Sequence, residues 1–260
     1  MIDAVIAAVK AVAQQEILPR YMKVARQRKA DGSLFTEADL ATQETLSREL
    51  RKIYPGPVVG EEMTENEQVA HWREGDAGLW CMDPIDGTSN FVNGLSYFAV
   101  SVALMQHGRS VLGVVYNPVA DEMFYAEKGR GAFLNGEKLP MKEDVPPLWA
   151  TIASVDLKRL GRRLAQEVST AKPFSSHRNF GSCALEWCYT AAGRFDLYLH
   201  GGQKLWDYAA GALILEEAGG AMCTLTKDDF WTDDQWQRSV IAARDPALFQ
   251  LWKNWIRAHQ

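Results

Sequence analysis

The sequence predicts a mixed α/β protein in two halves, an α+β half followed by an α/β half. Three observations carry this. The chain opens on apolar residues at helical spacing, its middle is a succession of strand-like apolar runs, and strand and helix patterns alternate beyond a proline-rich stretch at 138–147.

The elements follow in order. Ile2, Val5, Ile6, Val9, Val12 and Ile17 recur at three- and four-residue steps, which predicts an amphipathic helix continuing loosely to Ala25 despite Pro19. Asp31-Gly32-Ser33 reads as a turn. Thr36 caps a second helix, with Asp39 three residues on and Leu40, Leu46 and Leu50 behind it. Tyr54-Pro55-Gly56-Pro57 stops that helix, and Val58–Glu62 is a short strand ending in acids. Residues 64–78 read as polar loop. Leu79–Met82 is a buried strand running into the turn Asp83-Pro84-Ile85-Asp86-Gly87-Thr88. Strands are expected at 99–106, 110–117 and 122–127, then a turn and short strand within 129–136. Lys138–Pro147 holds three prolines and alternating charge, and marks the expected boundary between domains at 1–147 and 148–260. Beyond it come a strand at 150–154, a helix at 157–169, a strand near 177–180, a helix at 183–192, a strand at 195–199, a loop, and a helix at 208–218 closed by Gly219-Gly220.

Bulk properties narrow the function. With 47% hydrophobic and 23% charged residues, the 260-residue chain has the composition of a globular protein with a sizeable core. A net charge of -5 argues against a general nucleic-acid binder, which needs a basic surface. Cys81, Cys183, Cys188 and Cys223 form no CxxC pair and no zinc spacing, so they read as reduced, mostly buried thiols. The N-terminal segment lacks the basic start and cleavage site of a signal peptide, and no run of about 18 apolar residues exists. A cytoplasmic protein without a membrane segment is expected.

The acids mark the chemistry. Asp83 follows an apolar strand, Pro84 fixes one backbone angle, and Gly87 permits the turn out, so Asp83 and Asp86 point the same way. Two carboxylates so placed repel each other unless a cation lies between them. Oxygen ligands favour magnesium, manganese or calcium, and magnesium takes remaining ligands from water and substrate phosphate. Read alone, the string also fits a solvated turn, Glu61-Glu62 a surface pair, and Asp207 a helix cap.

Three segments, Gly60-Glu61-Glu62, Asp83-Pro84-Ile85-Asp86-Gly87-Thr88-Ser89-Asn90-Phe91, and Trp206-Asp207-Tyr208-Ala209-Ala210-Gly211 with Glu217-Ala218-Gly219-Gly220, resemble the inositol monophosphatase family in order and spacing over nearly the whole chain. The resemblance implies a layered α/β/α/β/α sandwich of the inositol monophosphatase and fructose-1,6-bisphosphatase type. It implies hydrolysis of a small phosphate monoester with magnesium, two or three ions per site, or manganese. The implied ligands are Glu61, Asp83, Asp86, Asp207 and the Ile85 carbonyl, with Asp83 bridging two ions. Thr88, with the acid Glu61, is matched to the group that orients the attacking water, and Asp39 to an aspartate that supports it. Lys29 is matched to a basic residue in the preceding loop, which is shorter here. Attack is in line, by a water the metals activate, without a phosphoenzyme. The N–H groups of Gly87 and Thr88, at an expected helix start, face the phosphate. Lithium inhibition and a homodimer are implied as well. Haloacid-dehalogenase-like phosphatases, by contrast, space their acids two apart, where Asp83 and Asp86 are three apart.

Family members differ in substrate: inositol phosphates, histidinol phosphate, adenosine bisphosphates, fructose bisphosphate. Gly181-Ser182-Cys183 matches the family's sugar-side loop. Seven residues before Asp207, inositol-cleaving members carry a glutamate where this chain has His200. His200 and Lys204 are therefore candidate substrate contacts, with solvated loop residues as the plain alternative. Lys204 would suit a second phosphate or carboxylate. The pocket is expected to have lost the glutamate's polyol preference. Cys183 is read as a pocket-lining residue without a nearby histidine, His107 and His177 as loop residues, and the C-terminal tryptophans as packing. Some relatives serve transcription or ribosome-assembly machinery, so a protein-binding factor is the alternative of another class.

Overall fold

The computed structural model describes residues 1–25, 27–28, 34–142 and 144–260. Lys29 and the turn expected at 31–33 lie outside the described residues. The first helix, α1 (Ile2–Val12), passes into a wide turn at Ala13–Ile17 in which the Leu18 N–H bonds the Ala13 carbonyl. Helix stops before Pro19, not at Ala25 as the apolar pattern suggests, because proline cannot donate and clashes with the preceding turn. Two short antiparallel strands, β1 (Gln27–Arg28) and β2 (Leu34–Phe35), precede α2 (Glu37–Ile53). Thr36 and Asp39 form the capping box at its start. Leu46 and Leu50 are buried, but Leu40 is exposed.

Then come β3 (Val58–Gly60), α3 (Glu65–Glu74), β4 (Leu79–Asp86), α4 (Thr88–Asn93), β5 (Ala99–Gln106), β6 (Arg109–Asn117), β7 (Glu122–Glu127), β8 (Ala132–Leu134) and β9 (Glu137–Lys138). Helix α3 falls in the stretch read as loop. Its signal was present, since Thr64 and Glu67 make a second capping box, but its apolar stripe is too weak to see in a polar stretch. The seven strands β3 to β9 lie in chain order, antiparallel except for the β3–β4 pair.

The second half holds β10 (Ile152–Asp156), a single turn at Leu157–Arg159, α5 (Arg162–Thr170), β11 (Ser176–Arg178), α6 (Cys183–Ala191), β12 (Leu197–Lys204), α7 (Leu205–Glu217), β13 (Ala221–Cys223), β14 (Gln237–Ala243) and α8 (Pro246–His259). Its sheet runs β11-β10-β12-β14-β13, with β11, β10 and β12 parallel. The loop expected after Leu199 is strand: β12 continues to Lys204 with an irregularity between His200 and Gln203, and α7 follows at once. Gly201-Gly202 disguised the strand, because glycine pairs carry no strand pattern. His177 lies in β11 rather than a loop, whereas His107 sits in the β5–β6 turn.

Three cores define five layers. Val5, Val9, Leu46 and Leu50 of α1 and α2 pack on Trp80, Met82, Val100 and Val114. The opposite face of that sheet, through Cys81, Ala103 and Val115, meets Trp187 of α6 and Leu213 of α7, which also touch Tyr198 and Val240 of the second sheet. Leu197, Leu199 and Ile241 then face Leu164 of α5 and Trp252 and Ile256 of α8. This is the expected α/β/α/β/α sandwich. Alternation along β4 and β12 feeds both faces, as burial on two sides requires. Trp231 and Trp252 are buried, and Trp236 and Trp255 pack against the cores.

Helix α7 sits between the sheets at close range. Ser101 Oγ donates to the Trp206 carbonyl at 3.2 Å and Ser110 Oγ to the Ala209 carbonyl at 2.7 Å. A Cβ on Gly113 of β6 would stand 2.8 Å from the Ala210 carbonyl oxygen, so only glycine lets the helix this near. Gly113→Val is expected to lower the unfolding free energy by about 1–3 kcal/mol, read from urea denaturation. An unchanged midpoint would show that α7 can move aside freely.

Candidate metal centre

Adjacent strand ends and one helix start bring the acids together. Residues Asp83 to Asp86 are not a free turn, as the sequence reading has it. They complete β4, whose pairing with β5 jumps from Asp83–Ser101 to Asp86–Ala99. This bulge re-aims the two side chains. Gly87 then turns the chain with φ of 92° into α4. A Cβ there would lie 3.2 Å from the carbonyl oxygens of Gly181 and Tyr97, so glycine serves both conformation and space. Asp207 enters from the first turn of α7. Carboxylate oxygens of Asp83, Asp86 and Asp207 all lie within 4.8 Å of one another. Glu61 follows β3, the strand beside β4, and its charge acts on all three.

Hydrogen bonds fix these carboxylates from behind. Asp86 Oδ2 accepts from Ser182 Oγ at 2.5 Å and from the Ala184 N–H at 2.7 Å. Asp83 Oδ1 accepts the Ile85 N–H at 3.0 Å, and Asp207 Oδ2 the Lys204 N–H at 2.9 Å. Thr88 Oγ1 stands 3.1 Å from the Ile85 carbonyl oxygen and 3.3 Å from Asp39 Oδ1. Its single proton serves one acceptor at a time. The other Asp39 oxygen takes the N–H and hydroxyl of Thr36 at 2.7 and 2.6 Å. The capping box of α2 thus holds a buried carboxylate against Thr88.

The electrostatics match a cation site. Burial raises Asp83 and Asp207 well above the ordinary 3.8, and the neighbouring acids raise them further. Burial also lifts Asp86 to about 6, against the lowering bonds from Ser182 and Ala184. Asp39 is lifted to about 6 by burial. Repelling carboxylates held this close fit hard divalent cations, which remove the repulsion and supply what oxygen ligands prefer. Asp83, Asp86, Asp207, Glu61 and the Ile85 carbonyl are the groups that would hold them.

A pH dependence follows for the metal-free protein. Each carboxylate binds its proton more tightly folded than unfolded, so stability is greatest below the unfolded value and declines as pH rises through the folded one. For Asp86 and Asp39 the decline runs from about pH 4 to about 6, and Asp83 and Asp207 extend it upward. The melting temperature in EDTA is expected to be lower at pH 8 than at pH 6, with most of the difference removed by magnesium. Equal melting temperatures at both pH values in EDTA would count against the buried cluster.

The substrate-side residues divide. Ser182 and Cys183 begin α6 beside Asp86, and Gly181 bends there with φ of 81°. His200 is buried in β12, 4% exposed, so neither reading of it as an open contact or a solvated loop residue holds. Its Nδ1 accepts the Gly202 N–H at 3.1 Å, which places the ring proton on Nε2. Nε2 lies 3.5 Å from Asp156 Oδ2 and 3.8 Å from Cys183 Sγ. A histidine therefore does neighbour Cys183, contrary to the sequence reading. The thiol is still no nucleophile, since burial and the Asp207 charge push it well above its usual range. Lys204 is exposed.

Three groups escaped the sequence reading. Asp156 ends β10 as Asp83 does its own apolar run, and that position was its signal. Asn90 Nδ2 donates to the Tyr97 and Phe180 carbonyls, both at 2.6 Å, and Glu186 accepts the Phe180 N–H at 3.1 Å. Together they clamp the 180–182 loop. Glu186 is buried on α6, with burial lifting it to about 7, and nothing in a helical repeat distinguishes it.

The layered fold and the carboxylate cluster define a phosphoric monoester hydrolase of the metal-dependent kind. The sequence pattern of the inositol monophosphatase family matches residues 1–257. An inositol-1-monophosphatase of Mesorhizobium japonicum is 38% identical over 197 residues, 74% of this chain and 72% of that one. "Nus factor SuhB" of Pasteurella multocida is 38% identical over 200 residues, 75% and 73% of the two chains. The crystal structure of staphylococcal inositol monophosphatase-1 in a lithium-soaked inhibitory complex superposes with a TM-score of 0.82 at 25% identity, covering 97% of this chain and 93% of that one. The chain belongs to the inositol monophosphatase family.

Proposed function

We propose that the chain hydrolyses a small phosphate monoester with two or three magnesium ions, or manganese, held by Glu61, Asp83, Asp86, Asp207 and the Ile85 carbonyl. The convergence of three carboxylates within 4.8 Å at the junction of two sheets carries the reading. Bound cations would neutralise the phosphoryl oxygens and the leaving alkoxide and lower the pKa of a water. The protein's own share is orientation. Thr88, held between Asp39 and the Ile85 carbonyl, and Glu61 orient the water and take its proton. The N–H groups of Gly87 and Thr88 open α4 toward the ester, and Gly181, Ser182 and Cys183 face its leaving group. His200 shapes that wall through Cys183 and Asp156 rather than by direct contact, and Lys204 stands at the rim.

Lithium inhibition is supported by the lithium-soaked staphylococcal relative. We also infer a homodimer from the family resemblance, which sedimentation would test. No helix among the described residues is long and apolar enough to cross a membrane. A protein-binding role is a second reading, resting on the name of the Pasteurella relative. An assay of a monoester panel, including inositol 1-phosphate, histidinol phosphate, 3′-phosphoadenosine nucleotides and fructose 1,6-bisphosphate, tests the activity. Magnesium-dependent release of phosphate, abolished by EDTA, is expected. No release from any ester would overturn the reading.

A further inference from the structure

We propose that Glu186, acting with Asn90, is a positioning residue that sets the 180–184 segment against Asp86 and the Gly87 turn. The inference rests on the phosphatase reading and adds a residue to its machinery. Three consecutive residues hold Asp86 from behind. Ser182 Oγ donates to its Oδ2 at 2.5 Å, the Ala184 N–H donates at 2.7 Å, and the Cys183 N–H bonds the same carboxylate. The Gly181 carbonyl packs on the turn that follows, 3.2 Å from where a Cβ on Gly87 would stand. The placement of residues 180 to 184 therefore decides where Asp86 points and how the start of α4 is seated.

Two side chains fix that segment from different elements. Asn90, on α4, donates its Nδ2 to the Phe180 carbonyl at 2.6 Å. Glu186, in the first turn of α6, accepts the Phe180 N–H at 3.1 Å and bonds the Gly181 N–H as well. A third donor reaches Glu186 through a chain whose direction is forced. Trp187 Nε1 can only donate, and it meets Gln203 Oε1 at 2.9 Å. The Gln203 amide nitrogen then donates to the Tyr198 hydroxyl oxygen. That leaves the Tyr198 proton to Glu186, a better acceptor than the neighbouring Cys183 thiol. Local stability does not call for this acid. Phe180 and Gly181 are exposed, so their N–H groups would find water without it. Glu186 itself is 2% exposed. Burial pushes its pKa up to about 7, and the Asp86 charge adds to the rise. A buried carboxylate that costs stability, aimed at the backbone beside a metal ligand, is there for geometry.

The test measures Glu186→Gln and Glu186→Leu on the ester of the panel above that the parent protein hydrolyses fastest, over a range of magnesium, with melting temperatures taken in EDTA at pH 8. Gln is isosteric but offers one acceptor atom in place of two, and Leu offers none. At saturating magnesium kcat is expected to fall about threefold in the Gln variant and about tenfold or more in the Leu variant, the latter on the scale of losing a supporting group at a metal site. The magnesium needed for half-maximal rate should rise in both. Both should melt at or above the parent temperature, since a buried charge is gone. A structural anchor alone would give the reverse, a lower melting temperature with the parent's kcat and magnesium requirement. The Gln variant decides where Leu disturbs packing. A parent-like kcat and magnesium requirement there, or a loss matched by a lower melting temperature, overturns the inference alone. No hydrolysis by the parent protein overturns the phosphatase reading beneath it.

Discussion

Asp86→Asn is expected to reduce kcat/KM for any phosphate ester by about 10³-fold or more while leaving the protein folded. Cations contribute several kcal/mol to phosphoryl transfer, and each 1.36 kcal/mol is roughly tenfold in rate. The amide removes one charge from the cluster but keeps an oxygen for Ser182 and the Ala184 N–H. Asp86 is costly to ionise in the folded protein without metal, with burial raising it to about 6. The neutral variant avoids that cost. In EDTA at pH 8 it should melt at or above the parent temperature, and magnesium should raise its melting point less. Lost activity together with a lower melting point in EDTA would instead point to damage of the α6 contact. A cellular phenotype that survives the substitution would belong to protein binding.

The second large effect concerns the proton. Thr88→Val removes the hydroxyl set between Asp39 Oδ1 and the Ile85 carbonyl at 3.3 and 3.1 Å. Positioned proton transfer is worth about 10²–10⁴-fold, so kcat should fall by about 10² or more with KM little changed. Thr88→Ser should restore most of it. Asp39→Asn should fall similarly, because that side chain is buried and tied to Thr36 on its other oxygen. The two act as one unit, so the double variant should be no slower than the worse single one. Additive losses would separate them, leaving Asp39 as a helix cap only.

The legible parts of this protein were those with local causes. The capping box at Thr36 and Asp39, the strand into Asp83 and the reach from β5 to β7 follow from spacing and turn residues, and the structure repeats them. The Asp83–Asp86 spacing suggested a cation site, although read alone it also fitted a solvated turn, and the family resemblance decided between them. Elements whose causes are distant were not legible. Helix α3 is held at its start by a side-chain cap rather than by a strong apolar stripe. The end of β12 is strand because β14 pairs with it, although Gly201-Gly202 breaks the pattern. His200 illustrates the same limit in the site. Its position before Asp207 flagged it, but only the fold brings Asp156 and Cys183 to its ring and buries it. Asn90 and Glu186 clamp the 180–182 loop across 90 and 6 residues of chain, and neither leaves a trace in periodicity.

The central claim is that Asp83, Asp86 and Asp207 hold divalent cations. Electron paramagnetic resonance of free manganese, titrated with metal-stripped protein at pH 8, tests it without relying on turnover. The free-ion signal should fall with at least one manganese bound per chain, magnesium should restore it by competition, and Asp83→Asn should weaken binding by about tenfold or more, on the scale typical of losing even a supporting group at a metal site. A signal that persists at full amplitude with the parent protein, or that falls equally with Asp83→Asn, would contradict the account.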